Sequence, residues 1–148
     1  MTIFDDLLSG VTGVTSNLWP QLAEKPHLVN GKLRPCPGTP NCVCSESDGV
    51  GEKVAPLSFT GSPEGAWSAI RKVVGELGGT VRDESGGYLW STFMVPVLGF
   101  TDDVEFRLDA SAKLIQVRSA SRLGYSDLGV NRTRVEQIRA AFASEERR

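Results

Sequence analysis

Val104-Glu105-Phe106-Arg107-Leu108-Asp109-Ala110-Ser111-Ala112-Lys113-Leu114-Ile115-Gln116-Val117-Arg118 is the stretch that decides the fold of this chain. Val104, Phe106 and Leu108 alternate with Glu105, Arg107 and Asp109, the period-two pattern of a strand with one apolar face. Residues 110–113 make a four-residue turn, and the return strand carries Ile115 and Val117 inward. Counting back from the turn pairs Leu108 with Ile115, Phe106 with Val117 and Glu105 with Arg118. A slip of one residue would turn every one of these side chains to the other face.

Upstream, a strand is expected over 54–59, followed by Ser62-Pro63-Glu64, a helix start with serine at the N-cap and proline at N1. Trp67, Ile70, Val74 and Leu77 mark one buried helical face, and Gly78-Gly79 ends the helix. Strands follow over 80–84 and 88–95, joined by Ser85-Gly86-Gly87. Downstream, a helix over 131–144 buries Val135, Ile138 and Phe142, and the tail Glu145-Glu146-Arg147-Arg148 should fray. Strands in sequence with helices set apart from them predict an α+β, two-layer fold. The expectation is an antiparallel sheet of about four to five strands with two main helices packed on it.

Two segments lie outside that core. Residues 1–22 form an amphipathic segment with Ile3, Phe4, Leu7, Leu8, Val11, Val14, Leu18 and Trp19 at helical spacing. Gly10 and Gly13 weaken it, so the leading expectation is a marginal helix that packs on the domain or frays from it. As a docking helix, Asp5 and Asp6, with no basic residue before Lys25, favour a protein partner over an anionic lipid surface, although peripheral membrane association stays open. Residues 23–53 form a Pro/Cys-rich loop whose prolines and glycines disfavour helix and central strand. The core domain is then 54–144.

A chain of 148 residues, 40% hydrophobic and 23% charged, fits one globular domain. The net charge of −2 excludes a broad nucleic-acid footprint. No apolar run approaches the roughly 18 residues of a spanning helix. The N-terminus has no basic n-region or continuous apolar core, so the chain as given is expected in the cytoplasm, or as a mature form whose leader was removed, with the leading methionine favouring the first.

Cys36, Cys42 and Cys44 leave three arrangements open. Cys36 and Cys42 can bridge, or cycle as a redox pair, across a proline-bent loop. All three can be reduced thiols in a structural loop. A zinc site with His27 is disfavoured because the paired C-x₂₋₄-C spacing is missing, and no metal or cofactor is expected.

The segment 118–134 gathers Arg118, Ser119, Ser121, Arg122, Tyr125, Ser126, Asp127, Asn131, Arg132 and Arg134. Guanidinium forks suit a carboxylate or phosphate, and a helix N-terminus favours an anion. With Asn131 as N-cap, Arg118, Arg122 and Arg132 could surround such an end, giving an anion pocket or a surface for an acidic partner. The competing expectation is architecture: Arg118 pairs with Glu105 across the hairpin, and Arg122 or Arg132 holds Asp102, Asp103 or Asp127. Asp102 and Asp103 would point to opposite faces, a poor acid–base pair. His27 is an isolated loop histidine, and no catalytic residue is assigned. A non-catalytic binding or assembly module is the leading expectation. A small-anion binder or enzyme and a thiol-redox protein are the alternatives.

Pro35-Cys36-Pro37-Gly38-Thr39-Pro40-Asn41-Cys42-Val43, Asp102-Asp103-Val104-Glu105-Phe106 and the run from Val117 to Arg132 together resemble the domain of unknown function 1499 family, over about 33–142. Its members are frequent in cyanobacteria, other bacteria and plastids, and many carry an N-terminal leader or anchor. The resemblance implies a photosynthetic-membrane setting, with a thylakoid-associated or lumenal location, and brings no activity. Cys44 stands where members usually place serine.

Overall fold

The computed structural model describes residues 25–95, 99–124 and 126–148. The N-terminal stripe within 1–22 and Tyr125 fall outside these. Among the described residues six strands and two helices follow in chain order: β1 Cys42–Cys44, β2 Leu57–Ser58, α1 Pro63–Glu76, β3 Thr80–Ser85, β4 Tyr88–Met94, β5 Thr101–Asp109, β6 Leu114–Ser121 and α2 Val130–Glu146. The fold is α+β, an open antiparallel sheet ordered β1-β6-β5-β4-β3, with β2 also paired to β6. No helix among the described residues is long and apolar enough to cross a membrane.

The hairpin register is the one its alternation dictates: Glu105 pairs with Arg118, Phe106 with Val117 and Leu108 with Ile115. Lys113 closes the four-residue turn in a left-handed conformation, φ +55°. Between β3 and β4 the turn is two residues, Gly86 and Gly87, both at positive φ, and Ser85 joins the ladder opposite Tyr88. Two positive-φ residues match the right-handed twist of the flanking strands.

Even-numbered residues of β5 and odd-numbered residues of β6 face the helices. Val104, Phe106, Ile115 and Val117 pack there with Ile70, Val74, Val135, Ile138 and Phe142 in one apolar core. Ser62 caps α1 by accepting the Gly65 N–H at 3.0 Å, with Pro63 opening the helix. Leu77, expected on the buried face, is the C-cap and lies exposed, because Gly78 at φ +89° turns the chain away.

Three further expectations are corrected. The Pro/Cys-rich loop is not without strand: Cys42–Cys44 adds an edge strand to β6, where the prolines on either side do not interrupt the ladder. The strand expected over 54–59 shrinks to two residues, though Val54, Leu57 and Phe59 are still buried. The tail does not fray at Glu145: α2 continues to Glu146, and Glu145 receives Lys72 of α1 at 3.1 Å.

The polar face of β5 is covered rather than solvated. Segment 25–47 folds across it, placing Leu33, Cys36 and Cys44 against Tyr88 and Trp90. Cys36 and Cys42 form a disulfide with Cα atoms 5.7 Å apart, and Cys44 is a free, buried thiol whose pKa burial pushes up. Closing so short a loop contributes about 2 kcal/mol on the chain-entropy account. The other edge, β3, carries Arg82, Asp83 and Glu84 and a register shift between Val81 and Asp83, features that discourage strand addition.

Candidate functional site

The sheet divides the arginine–serine–aspartate segment into two groups. Odd residues of β5 and even residues of β6 face the covering segment, so Asp103, Glu105 and Arg118 lie on that side with Arg122 just beyond the strand. Even residues of β5 and odd residues of β6 face α2, so Asp102, Ser119 and Ser121 lie with Asn131 and Arg134. Asp102 and Asp103 do point apart.

On the helix side the polar groups are closely paired, except that Asp102 Oδ1 is buried with no hydrogen-bond partner among the described residues. Asn131, fully buried inside α2, accepts from the Ser119 hydroxyl at 2.6 Å and from Arg134 Nη1 at 3.0 Å. Its amide nitrogen donates to Asp127 Oδ2 at 2.7 Å, Ser121 Oγ at 2.9 Å and the Asn41 carbonyl at 3.2 Å. Arg134 Nη1 meets Asp102 Oδ2 at 2.6 Å, and burial raises the pKa of Asp102 against that pairing.

Asn131 is therefore not the N-cap. Gly129 holds that position at φ +82°, and the Asp127 carboxylate accepts the N–H groups of Gly129 at 2.8 Å and Asn131 at 3.0 Å. The partial positive charge of this helix end is already met by an internal acid, which removes it as a cradle for a ligand anion. Arg132 is exposed and donates to the carbonyls of Gly51 and Lys53, away from Arg118 and Arg122. Ser126 is exposed and accepts from the Leu128 N–H, at 3.4 Å.

On the covered side the groups surround a hollow. A cavity of about 480 Å³ is lined by Arg34, Arg118, Arg122 and Asp103, by the polar Thr39 and Asn41, by Pro26, Pro35, Pro37, Cys42 and Ala120, and, at the end of β6 where the two sides meet, by Ser121. Arg122 forks onto Asp103 through Nε and Nη2, both at 2.9 Å, and Trp90 Nε1 donates to the same carboxylate at 2.8 Å. Glu105, at 0% exposure, receives Arg118 Nη1 at 3.3 Å and the Tyr88 hydroxyl at 2.8 Å. Burial and the Glu105 charge push the Tyr88 pKa up, so this phenol stays a donor.

Arg34 is the residue that inspection of 118–134 overlooked. Its carbonyl accepts Arg118 Nε at 2.8 Å, and its own Nη2 stands 4.0 Å from the already engaged Glu105. Its Nε is buried and takes no acceptor among the described residues. Nothing local marks it. Only the Cys36–Cys42 bridge and the β1–β6 pairing carry it to Arg118.

Glu46 clamps the covering segment. It accepts Arg107 Nη2 at 2.6 Å, Arg107 Nε at 3.0 Å and the Leu33 N–H at 2.8 Å. Burial raises its pKa, but the Arg107 and Leu33 hydrogen bonds outweigh this and hold it below the ordinary 4.5. The unfolded chain therefore binds this proton more readily, so the stabilisation is complete above 4.5 and lost as pH falls through the lower folded value. In urea titrations Glu46→Gln should cost about 2 kcal/mol at pH 7, with the gap to the wild type narrowing below pH 4.5. A gap that is constant with pH would contradict this clamp.

An α+β sheet protein with a covered, arginine-lined pocket is the class these features define. Over residues 32–142 the chain matches the family described as protein of unknown function DUF1499, and it belongs to that family. No curated protein and no solved structure matches it.

Proposed function

We propose that this protein is a binding module whose covered pocket takes an anionic group, a carboxylate or phosphate, against Arg34, Arg118 and Arg122. The observation that carries this is the convergence of the Arg34, Arg118 and Arg122 side chains on one cavity of about 480 Å³. Binding rather than catalysis is supported by the engagement of both nearby carboxylates, each held by a guanidinium and a second donor. His27 hydrogen-bonds the Lys25 carbonyl at 3.0 Å and is exposed.

The disulfide, in this proposal, is a staple for the pocket wall rather than a redox centre. Both of its roots are anchored independently, Cys36 by the Ser47 hydroxyl and Cys42 by β6. Such a bridge persists in oxidising compartments, which supports a periplasmic or lumenal setting over the cytoplasm. A photosynthetic membrane would be one such setting. The N-terminal segment remains the candidate for contact with a protein partner.

Thermal shift tests the pocket. Added carboxylates or phosphate should raise the Tm of the wild type, and Arg34→Gln should abolish the rise while leaving the unliganded Tm within a few degrees. An unchanged rise in Arg34→Gln would place anion binding elsewhere.

A further inference from the structure

Building on that anion pocket, we infer that residues 1–24 of this chain are its intramolecular ligand, an autoinhibitory segment whose carboxylates compete with a free anion for the arginine-lined hollow. The place where the segment joins the described fold is the first ground. Pro26 is part of the cavity wall. Lys25, one residue before it, pairs with Asp83 of β3 and stands 6.0 Å from the centre of the Trp90 ring. Trp90 in turn donates to Asp103, the carboxylate in the cavity wall that Arg122 grips. The chain therefore enters the fold beside the pocket, on the covered side of the sheet.

Composition is the second ground. Residues 1–24 carry Asp5, Asp6 and Glu24 and no lysine, arginine or histidine, so every charged side chain in them is an acid. The cavity is lined by three guanidiniums, and a guanidinium takes a carboxylate through paired N–H donors. Glu24 lies two residues from Pro26, a stretch of chain that spans at most about 7 Å. Asp5 and Asp6 are further along the same tether. A tethered ligand is held at a local concentration in the millimolar range, against which a free anion has to compete. A partner that took the apolar stripe of Ile3, Phe4, Leu7 and Leu8 would draw these acids away and open the pocket.

The test is calorimetric titration of the full chain at pH 7.5 with inorganic phosphate and, separately, with acetate. The wild type is compared with the variant Asp5→Asn/Asp6→Asn/Glu24→Gln. Both anions should bind the variant about tenfold more tightly, the gain expected when an internal competitor fills nine-tenths of the pockets. A control, Glu64→Gln/Glu76→Gln/Glu136→Gln, removes three exposed acids from α1 and α2, on the other side of the sheet. It makes the same change in net charge and should stay within about twofold of the wild type, because exposed charges at that distance are screened. Equal affinities in the wild type and the N-terminal variant, or an equal gain in the control, would overturn the autoinhibitory contact while the anion pocket stands. No binding of either anion to any of the three proteins would overturn the inference and the pocket together.

Discussion

Arg118→Met should cost about 3–5 kcal/mol of folding stability, measured as a fall in the urea midpoint at pH 7. Arg118 is 7% exposed and Glu105 0%, so the substitution strands a buried carboxylate. The Tyr88 hydroxyl at 2.8 Å and Arg34 at 4.0 Å cannot replace a direct ion pair. The Arg34 carbonyl also loses its donor, which loosens the pocket wall. Adding Glu105→Gln removes the orphaned charge, and the double variant should be more stable than Arg118→Met alone. A loss below about 1 kcal/mol for the single change, in the range of exposed ion pairs, would mean Arg118 does not neutralise Glu105.

Asn131→Ala carries the second large expected effect, a loss of about 2–4 kcal/mol in the same titration. Its amide meets two acceptors and a carboxylate on one side and two donors on the other, tying α2 to β6, to Asp127 before the helix and to Asn41 beside β1. Truncation leaves Ser119, the Asn41 carbonyl and Arg134 short of partners, each worth about 1–3 kcal/mol when buried. Asn131→Asp should be at least as damaging, because the new oxygen would stand where the nitrogen now meets Asp127 Oδ2 at 2.7 Å. Arg132→Ala, one residue away and exposed, should stay within about 0.5 kcal/mol. Equal losses at 131 and 132 would contradict the assignment of Asn131 as the tie between helix and sheet.

The hairpin was legible because alternation, turn length and cross-strand charge all point to one register. Local rules also carried α1, where Ser62, Pro63 and Gly78 sit at positions with defined backbone requirements. The covering segment was not legible in the same way. Glu105, Asp103 and Arg107 look like a solvated strand face until Glu46 and the disulfide hold residues 33–47 over them. Ion pairs across that layer join residues far apart in the chain, and no periodicity encodes them.

The candidate site was half legible for the same reason. Arg118, Arg122, Asp103 and Glu105 came from one hairpin, so their proximity followed from its register. Ser119, Ser121, Asp127 and Asn131 came from the same run but face the helix, since neighbours on a strand alternate sides. Arg34 belongs to the pocket through tertiary contacts alone. Its sequence setting, before Pro35 and Cys36, gives no hint of a partner on β6.

The most direct measurement is NMR of the arginine Nε–Hε resonances during titration with acetate and, separately, with inorganic phosphate. The account predicts a saturable shift at Arg34 Nε–Hε, with the exposed Arg71 and Arg132 unmoved. A titration that leaves the Arg34 resonance in place, or shifts every exposed guanidinium alike without saturation, would contradict an anion site at this residue.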